Sequence, residues 1–142
     1  MSLALYKRKR QFDHTPEPEA EGSAKKGSRP IFVVQLHHAS RRHYDFRLQV
    51  GDTLKSWACP KGPSFDPAVK RLAVEVEDHP ISYAKFTGDI PQGHYGGGHV
   101  DTFDSGVWST SDDAEAQLQK GHLRFELFGS RLKGGWHLIR SP

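Results

Sequence analysis

The segment His43-Tyr44-Asp45-Phe46-Arg47-Leu48-Gln49-Val50 alternates with a period of two. That is the period of an extended strand, in which residues two apart share a face. Tyr44, Phe46, Leu48 and Val50 therefore point one way, and His43, Asp45 and Arg47 point the other. The apolar set is a core face. Folding alone gives no reason to line the opposite face with an imidazole, a carboxylate and a guanidinium. That order suits a divalent metal next to an anion-binding cation.

The rest of the chain reads as short strands broken by turns. Residues 31–36 form a continuous β-branched and aromatic run, Gly51-Asp52 is a hairpin signal, and 53–59 is the return strand. Residues 60–67 are a loop with three prolines. Residues 71–77 alternate again, which predicts Leu72, Val74 and Val76 facing inward and Arg71, Glu75 and Glu77 outward. Residues 91–98 are a glycine-rich turn, and 99–103 with 106–108 suggest a hairpin. In 122–128, Leu123, Phe125 and Leu127 face inward, and 135–140 closes the chain. One helix is expected over 114–120, with Asp112-x-x-Glu115 as a capping box and Gly121 past its end. A short turn is expected over 66–70. The sum is an all-β fold, a compact β-barrel with one or two short helices.

A length of 142 residues fits one domain able to bury a core without staples. Residues 1–29 read as a partly flexible N-terminal arm with almost nothing to bury, and 30–142 as the barrel domain. No apolar run approaches a membrane span and no signal peptide is visible. The single cysteine, Cys59, excludes an internal disulfide and fits a reducing compartment. A net charge of +3 permits a nucleic-acid partner without demanding one.

Three groups of residues carry candidate chemistry. His37, at the end of the preceding strand, is brought beside His43 if residues 39–42 make a tight turn. His37, His43 and Asp45 then form a three-ligand metal set with open positions. Exposed histidines at a hairpin tip are the plain alternative. His38 should point elsewhere. Arg47 is placed to hold a phosphate or, in competition, to pair with Asp45. A second strand offers Arg71, Glu77 and His79 at one parity, with Tyr83 just beyond; an ordinary half-exposed polar face is the alternative. Lys61 sits in a rigid loop and is either a phosphate contact or a solvated lysine. The turn Gly93-His94-Tyr95-Gly96-Gly97-Gly98 lacks the residues of a nucleotide P-loop and is read as a β-turn, with His94 and Tyr95 as possible ligand contacts. Trp57, Trp108 and Trp136 are assigned to the core.

At these residues the chain resembles a known family, the 3′-phosphoesterase domain of bacterial DNA ligase D and its stand-alone bacterial and archaeal relatives. The shared text includes Phe32-Val33-Val34-Gln35-x-His37, Ala39-Ser40-x-x-His43-Tyr44-Asp45-Phe46-Arg47-Leu48, Leu54-Lys55-Ser56-Trp57-Ala58 and Pro60-Lys61-Gly62-Pro63-Ser64. It continues with Lys70-Arg71-Leu72-Ala73, Val76-Glu77-Asp78-His79-Pro80, Ile90-Pro91-x-Gly93-x-Tyr95-Gly96 and, in the arm, Phe12-x-x-Thr15-Pro16-Glu17-Pro18. The match runs over nearly the whole chain.

The resemblance implies a Mn2+-dependent enzyme of DNA repair by non-homologous end joining; Co2+ or Zn2+ are other metals for such a site. It would remove a 3′-terminal ribonucleoside from a primer strand and then hydrolyse the remaining 3′-phosphate to a 3′-OH. It further implies His37, His43 and Asp45 as metal ligands, and Arg47 and His79 on the scissile phosphate. Lys61, Arg71, Glu77 and Tyr83 fall at other active-site positions, with Lys61 and Arg71 also toward phosphate. Glu17 matches an N-terminal acidic residue. The implied partners are DNA primer–template 3′ ends, ligase and polymerase domains and the end-binding Ku protein, with no membrane. The implied location is the prokaryotic cytoplasm, at the nucleoid during action.

Two other functions compete. A histidine pair with an aspartate is also the facial triad of non-haem iron oxygenases, although there the third ligand usually follows the His-x-Asp pair, whereas His37 precedes it. A barrel that only docks on DNA ends or on a ligase would carry the same residues without hydrolysing anything.

Overall fold

The computed structural model describes residues 3–10, 12, 15–18, 29–91 and 93–142. Of the stretch over 20–29 expected to be flexible, residues 20–28 lie outside the described residues. In chain order the elements are helix α1 (Leu3–Arg8), strands β1 (Ile31–His38), β2 (Arg42–Val50), β3 (Thr53–Cys59) and β4 (Val74–Pro80), and a 3-10 turn (Ile81–Lys85). Strands β5 (Gly88–Ile90) and β6 (Gly98–Ser109), helix α2 (Ala114–Lys120), and strands β7 (His122–Gly129) and β8 (Lys133–Ile139) follow.

The eight strands make one antiparallel sheet in the order β4-β3-β2-β1-β6-β7-β8, with β5 paired to β6. The sheet curls into a half-barrel, and among the described residues β4 and β8 do not pair. The all-β expectation holds.

Each face of the sheet carries its own core. Alternation along β2 sends Phe46, Leu48 and Val50 to one face, where they meet Phe32, Val34, Trp57, Trp108, Leu123, Phe125 and Leu127. Cys59 is buried in the same cluster and Trp136 packs against it. A smaller cluster on the other face joins Tyr6 to Leu54, Tyr83, Phe86, Ile90 and Val100. Helix α1 thus packs on the sheet, and Tyr6 is fully buried. The arm buries more than its composition suggests, because one tyrosine on one helical turn suffices to seat it.

Several local expectations hold and three shift. Gly51-Asp52 closes the β2–β3 hairpin, with Gly51 at φ 64 as a first central turn residue requires. Helix α2 spans the expected residues and ends at Gly121 in the left-handed conformation. Its N-cap is Asp113 rather than Asp112: the Asp113 carboxylate accepts the Glu115 N–H at 3.1 Å. The expected hairpin near Gly106 is instead one long strand, β6. Gly106 pairs with Phe32 on one side and Gly129 on the other, and a Cβ there would lie 2.2 Å from the Phe128 carbonyl oxygen. That glycine permits close backbone approach, not a turn. The third shift, in β4, bears on the site.

Candidate active site

The β1–β2 hairpin builds the metal set. His37 and His43 face each other across the strand pair, and Gln35 faces Asp45. The turn over 39–41 is tight enough to bring the two imidazoles to 4.8 Å between ring centroids. His37 Nδ1 lies 3.5 Å from Asp45 Oδ2, and His43 Nε2 lies 3.2 Å from Asp45 Oδ1. Potential ligand atoms of the three residues all fall within 4.8 Å of one another. His38 points away, to Asp101.

The outer ring nitrogens decide what the inner ones can do. His37 Nε2 donates to the Gly96 carbonyl at 2.7 Å, and His43 Nδ1 donates to the Arg41 carbonyl at 3.2 Å. A carbonyl only accepts, so each proton sits on the outer nitrogen. Gly96, at φ 77, is part of the glycine-rich turn and aims its carbonyl at His37. In the neutral rings the inner nitrogens then present lone pairs to a carboxylate. Three converging donors call for a cation between them, and outer bonds of this kind are what orient histidine ligands. The donor set fits a divalent metal. Burial opposes ionisation of Asp45, but the adjacent imidazoles of His37 and His43 and the charge of Arg47 outweigh it and hold the carboxyl well below its usual range. The hydrogen bond to Asp45 raises His43 against the effect of burial.

Next to this set lie two buried guanidiniums. Arg47 donates from Nε to Gln35 Oε1 at 2.8 Å, and Gln35 donates to the Tyr83 carbonyl at 2.8 Å. This chain fixes the plane of Arg47. Its Nη1 lies 3.2 Å from His79 Nδ1, and Nη2 lies 3.6 Å from Asp45. Both readings of Arg47 meet here, because the ion pair to Asp45 leaves the planar fork beside the metal set. Arg10 comes from just beyond α1. It pairs with Glu17 at 2.7 Å, reaches Glu77 at 3.6 Å, and donates from Nη2 to His79 Nε2 at 3.3 Å. Its guanidinium stacks 4.0 Å over the Tyr6 ring.

His79 Nδ1 donates to the Glu77 carbonyl at 3.0 Å, so Nε2 is the nitrogen that accepts, from Arg10. Burial and the charges of Arg47 and Arg10 push its pKa well below the usual range. These effects favour the neutral ring. Tyr83 donates to Glu17 at 2.7 Å, and the Tyr6 hydroxyl donates to the Pro18 carbonyl. Glu77 is buried, 3.3 Å from Lys9 and within reach of the Tyr95 hydroxyl at 3.4 Å. Among the described residues, its Oε2 is the one buried side-chain polar atom with no hydrogen-bond partner. It borders a cavity of about 280 Å³ lined by Arg10, His37, His43, Asp45, Arg47, Glu77, His79, Tyr83 and Tyr95, among others. A larger hollow of about 700 Å³, lined by Pro30, Val50, Trp108 and Phe128 among others, holds neither a metal-ligand set nor paired cations.

The structure thus gathers His37, His43, Asp45, Arg47, Glu77, His79 and Tyr83 around one cavity, with Glu17 bracing its wall. Arg71 and Lys61 do not line it. Both are exposed, and Arg71 Nη1 reaches the Lys61 carbonyl at 3.4 Å. Arg71 precedes β4, and the expected inward Leu72 and Val74 are exposed while Glu77 and His79 are buried. The reason is a bulge. Ser56 pairs with Val76 but Leu54 pairs with His79, so β4 carries one extra residue at 77–78. Parity before the bulge does not carry through it, and Val76 and His79 face the same cavity.

Arg10 lines this cavity and Gln35 braces Arg47, and strand parity did not flag either. Gln35 shares parity with His37 on β1 and could have been found by extending that face. Arg10 has no such signal, since its position depends on α1 docking from far along the chain.

The DNA ligase D 3'-phosphoesterase domain family matches residues 35–140 of the chain. The chain is 58% identical over 140 residues to the multifunctional non-homologous end joining protein LigD of Pseudomonas aeruginosa, covering 98% of this chain and 17% of that protein. It is 42% identical over 142 residues to the multifunctional non-homologous end joining DNA repair protein LigD of Mycobacterium tuberculosis, covering 98% and 18%. It is 38% identical to LigD of Mycolicibacterium smegmatis, covering 98% and 19%. The chain spans about a fifth of the length of these relatives.

Proposed function

The chain belongs to the DNA ligase D 3′-phosphoesterase family, and on that premise we propose that it is a metal-dependent hydrolase that heals DNA 3′ ends in end-joining repair. It removes a 3′-terminal ribonucleoside and hydrolyses the 3′-phosphate left behind to a 3′-OH. Its partners in that role are primer–template ends, the ligase and polymerase domains that use the healed end, and the end-binding Ku protein.

The observation that carries this reading is charge balance around the cavity. Lys9, Arg10 and Arg47 face Glu17, Glu77 and Asp45, three cations against three carboxylates. A divalent cation on His37, His43 and Asp45 leaves an excess of two positive charges. That excess complements a phosphomonoester dianion. We assign Mn2+ as the native ion, with Co2+ or Zn2+ as substitutes. When bound, such an ion supplies Lewis-acid polarisation of a phosphoryl oxygen and lowers the pKa of a coordinated water.

The protein's own groups do the remaining work. Arg47, fixed in plane by Gln35, offers its Nη edge to the phosphoryl oxygens as charge builds on them. Arg10, held by Glu17, closes the other side. His79 orients the Arg10 guanidinium while neutral and lies against that of Arg47. Burial and the charges of Arg47 and Arg10 disfavour a proton on His79, and a phosphate dianion at those guanidiniums offsets the charge part, so substrate favours the protonated ring that could donate to the leaving group. Glu77 and Tyr83 border the same cavity and are the groups we assign to the neighbouring 2′-OH in the ribonucleoside step. Lys61 and Arg71 act outside the cavity, on the flanking strand.

The test is an end-labelled primer–template carrying one 3′ ribonucleotide, incubated with Mn2+. Wild type should shorten the primer and then release inorganic phosphate, and Asp45→Ala should do neither. Equal inertness of the two proteins would sink the reading and favour a docking barrel without catalysis.

A further inference from the structure

Outside the cavity, the most unusual surface is the loop joining β3 to β4, residues 60–73. Among the described residues seven large apolar side chains stand exposed, and four of them, Phe65, Val69, Leu72 and Val74, fall within 65–74. Phe65 is 65% exposed and Leu72 is 68% exposed. The loop is nonetheless braced. Gly62 lies so close under Tyr44 that a Cβ would sit 2.7 Å from the ring, and its N–H bonds the Cys59 carbonyl at 3.2 Å. Ser64 Oγ accepts the Asp66 N–H at 3.1 Å, and the Asp66 carboxylate accepts the Ala68 N–H at 2.9 Å. The Val69 N–H returns to the Asp66 carbonyl at 3.0 Å, and Arg71 ties the base of the loop to the Lys61 carbonyl. A loop held this firmly while presenting an aromatic ring to solvent has a surface built for contact.

Charge and position select the partner. The loop carries Lys61, Lys70 and Arg71 against one carboxylate, Asp66. Cations interleaved with an exposed aromatic ring suit nucleic acid, whereas protein-binding patches are depleted in lysine. The loop is also continuous with the cavity wall, because Ala58 at the end of β3 and Val76 at the start of β4 both line the cavity.

We propose that this loop is a second nucleic-acid contact, which holds the strand running out of the cavity. Phe65 stacks on an unpaired base of the template overhang, Leu72 packs beside it, and Lys70 and Arg71 hold the adjacent phosphates. The proposal rests on the phosphoesterase reading of the cavity and adds to it a base-stacking contact outside the cavity.

Fluorescence anisotropy of a labelled primer–template with a 3′-phosphate, in EDTA, measures binding without turnover. Phe65→Ser and Leu72→Ser should each weaken binding, the first by about tenfold. Phe65→Tyr should bind as wild type and Phe65→Leu should not. Lys70→Gln should flatten the slope of log affinity against log salt by about one unit. In Mn2+, Phe65→Ser should raise KM for the primer–template and leave kcat unchanged. Wild-type affinity and salt slope in all these variants would overturn the proposal, including the case in which the loop serves a protein partner instead. Rescue by Phe65→Leu would overturn the stacking role. Active wild type with unaffected loop variants removes this inference alone; inactive wild type whose loop variants still bind DNA more weakly removes the phosphoesterase reading alone.

Discussion

Arg47 and His79 show how far a single side chain can be committed by its neighbours. The Arg47 fork is fixed on one edge by Gln35, and its other edge faces Asp45. A lysine keeps the charge and loses the fork. Arg47→Lys is expected to lower kcat by about 100-fold, in the range of one lost transition-state donor, with little change in Mn2+ affinity. Steady-state phosphate release alongside calorimetric metal titration separates the two effects. His79 carries a pH signature. Burial and the guanidiniums of Arg47 and Arg10 depress its folded-state pKa, so the unfolded chain takes up this proton first as pH falls. The stability that neutral His79 contributes is whole above about pH 6.5 and is lost as pH drops below that toward the folded-state value. Urea midpoints at about pH 8 and about pH 5 check this: wild type should lose more than His79→Gln between them. Equal losses would show that His79 is not held neutral.

Elements differ in how openly the sequence announces them. Strand β2 was legible because a period of two sorts His43, Asp45 and Arg47 from Phe46, Leu48 and Val50 without knowledge of the rest of the molecule. Helix α2 was legible because its ends are local chemistry, an aspartate before it and Gly121 after it. Strand β4 misled for a physical reason. Alternation assumes that the apolar face goes inward, and here the interior it meets is a charged cavity, entered through a bulge that resets parity between Val76 and His79. Helix α1 was illegible because six residues carry no periodicity signal, and its place comes from Tyr6 docking against residues far along the chain. That docking yields a prediction for the element. Tyr6→Ala should cost about 3 kcal/mol of local stability by the usual scale for a buried aromatic. The loss should appear as opening of the α1 segment rather than of the sheet, since α1 lies outside the strand ladder. Hydrogen exchange should show faster exchange over 3–10 with β1–β3 still protected. Activity should fall as well, because Arg10 leaves the cavity with the helix.

At the scale of the molecule, one curled sheet serves two purposes. One face closes a conventional apolar core, and the other supports charged groups under a lid made from α1 and the turn after β4. Burial of that kind has a chemical consequence for the core face. Cys59 is the only cysteine in the chain, and burial pushes its thiol up to about 12. Only the thiolate attacks oxidants and electrophiles, so at neutral pH this sulfur is both inaccessible and almost wholly protonated. A disulfide reagent such as Ellman's should leave the native protein unlabelled and titrate one thiol after denaturation. A protein proposed to mend broken DNA meets oxidants in the same episodes that break the DNA, and this chain offers them no reactive thiol to disable.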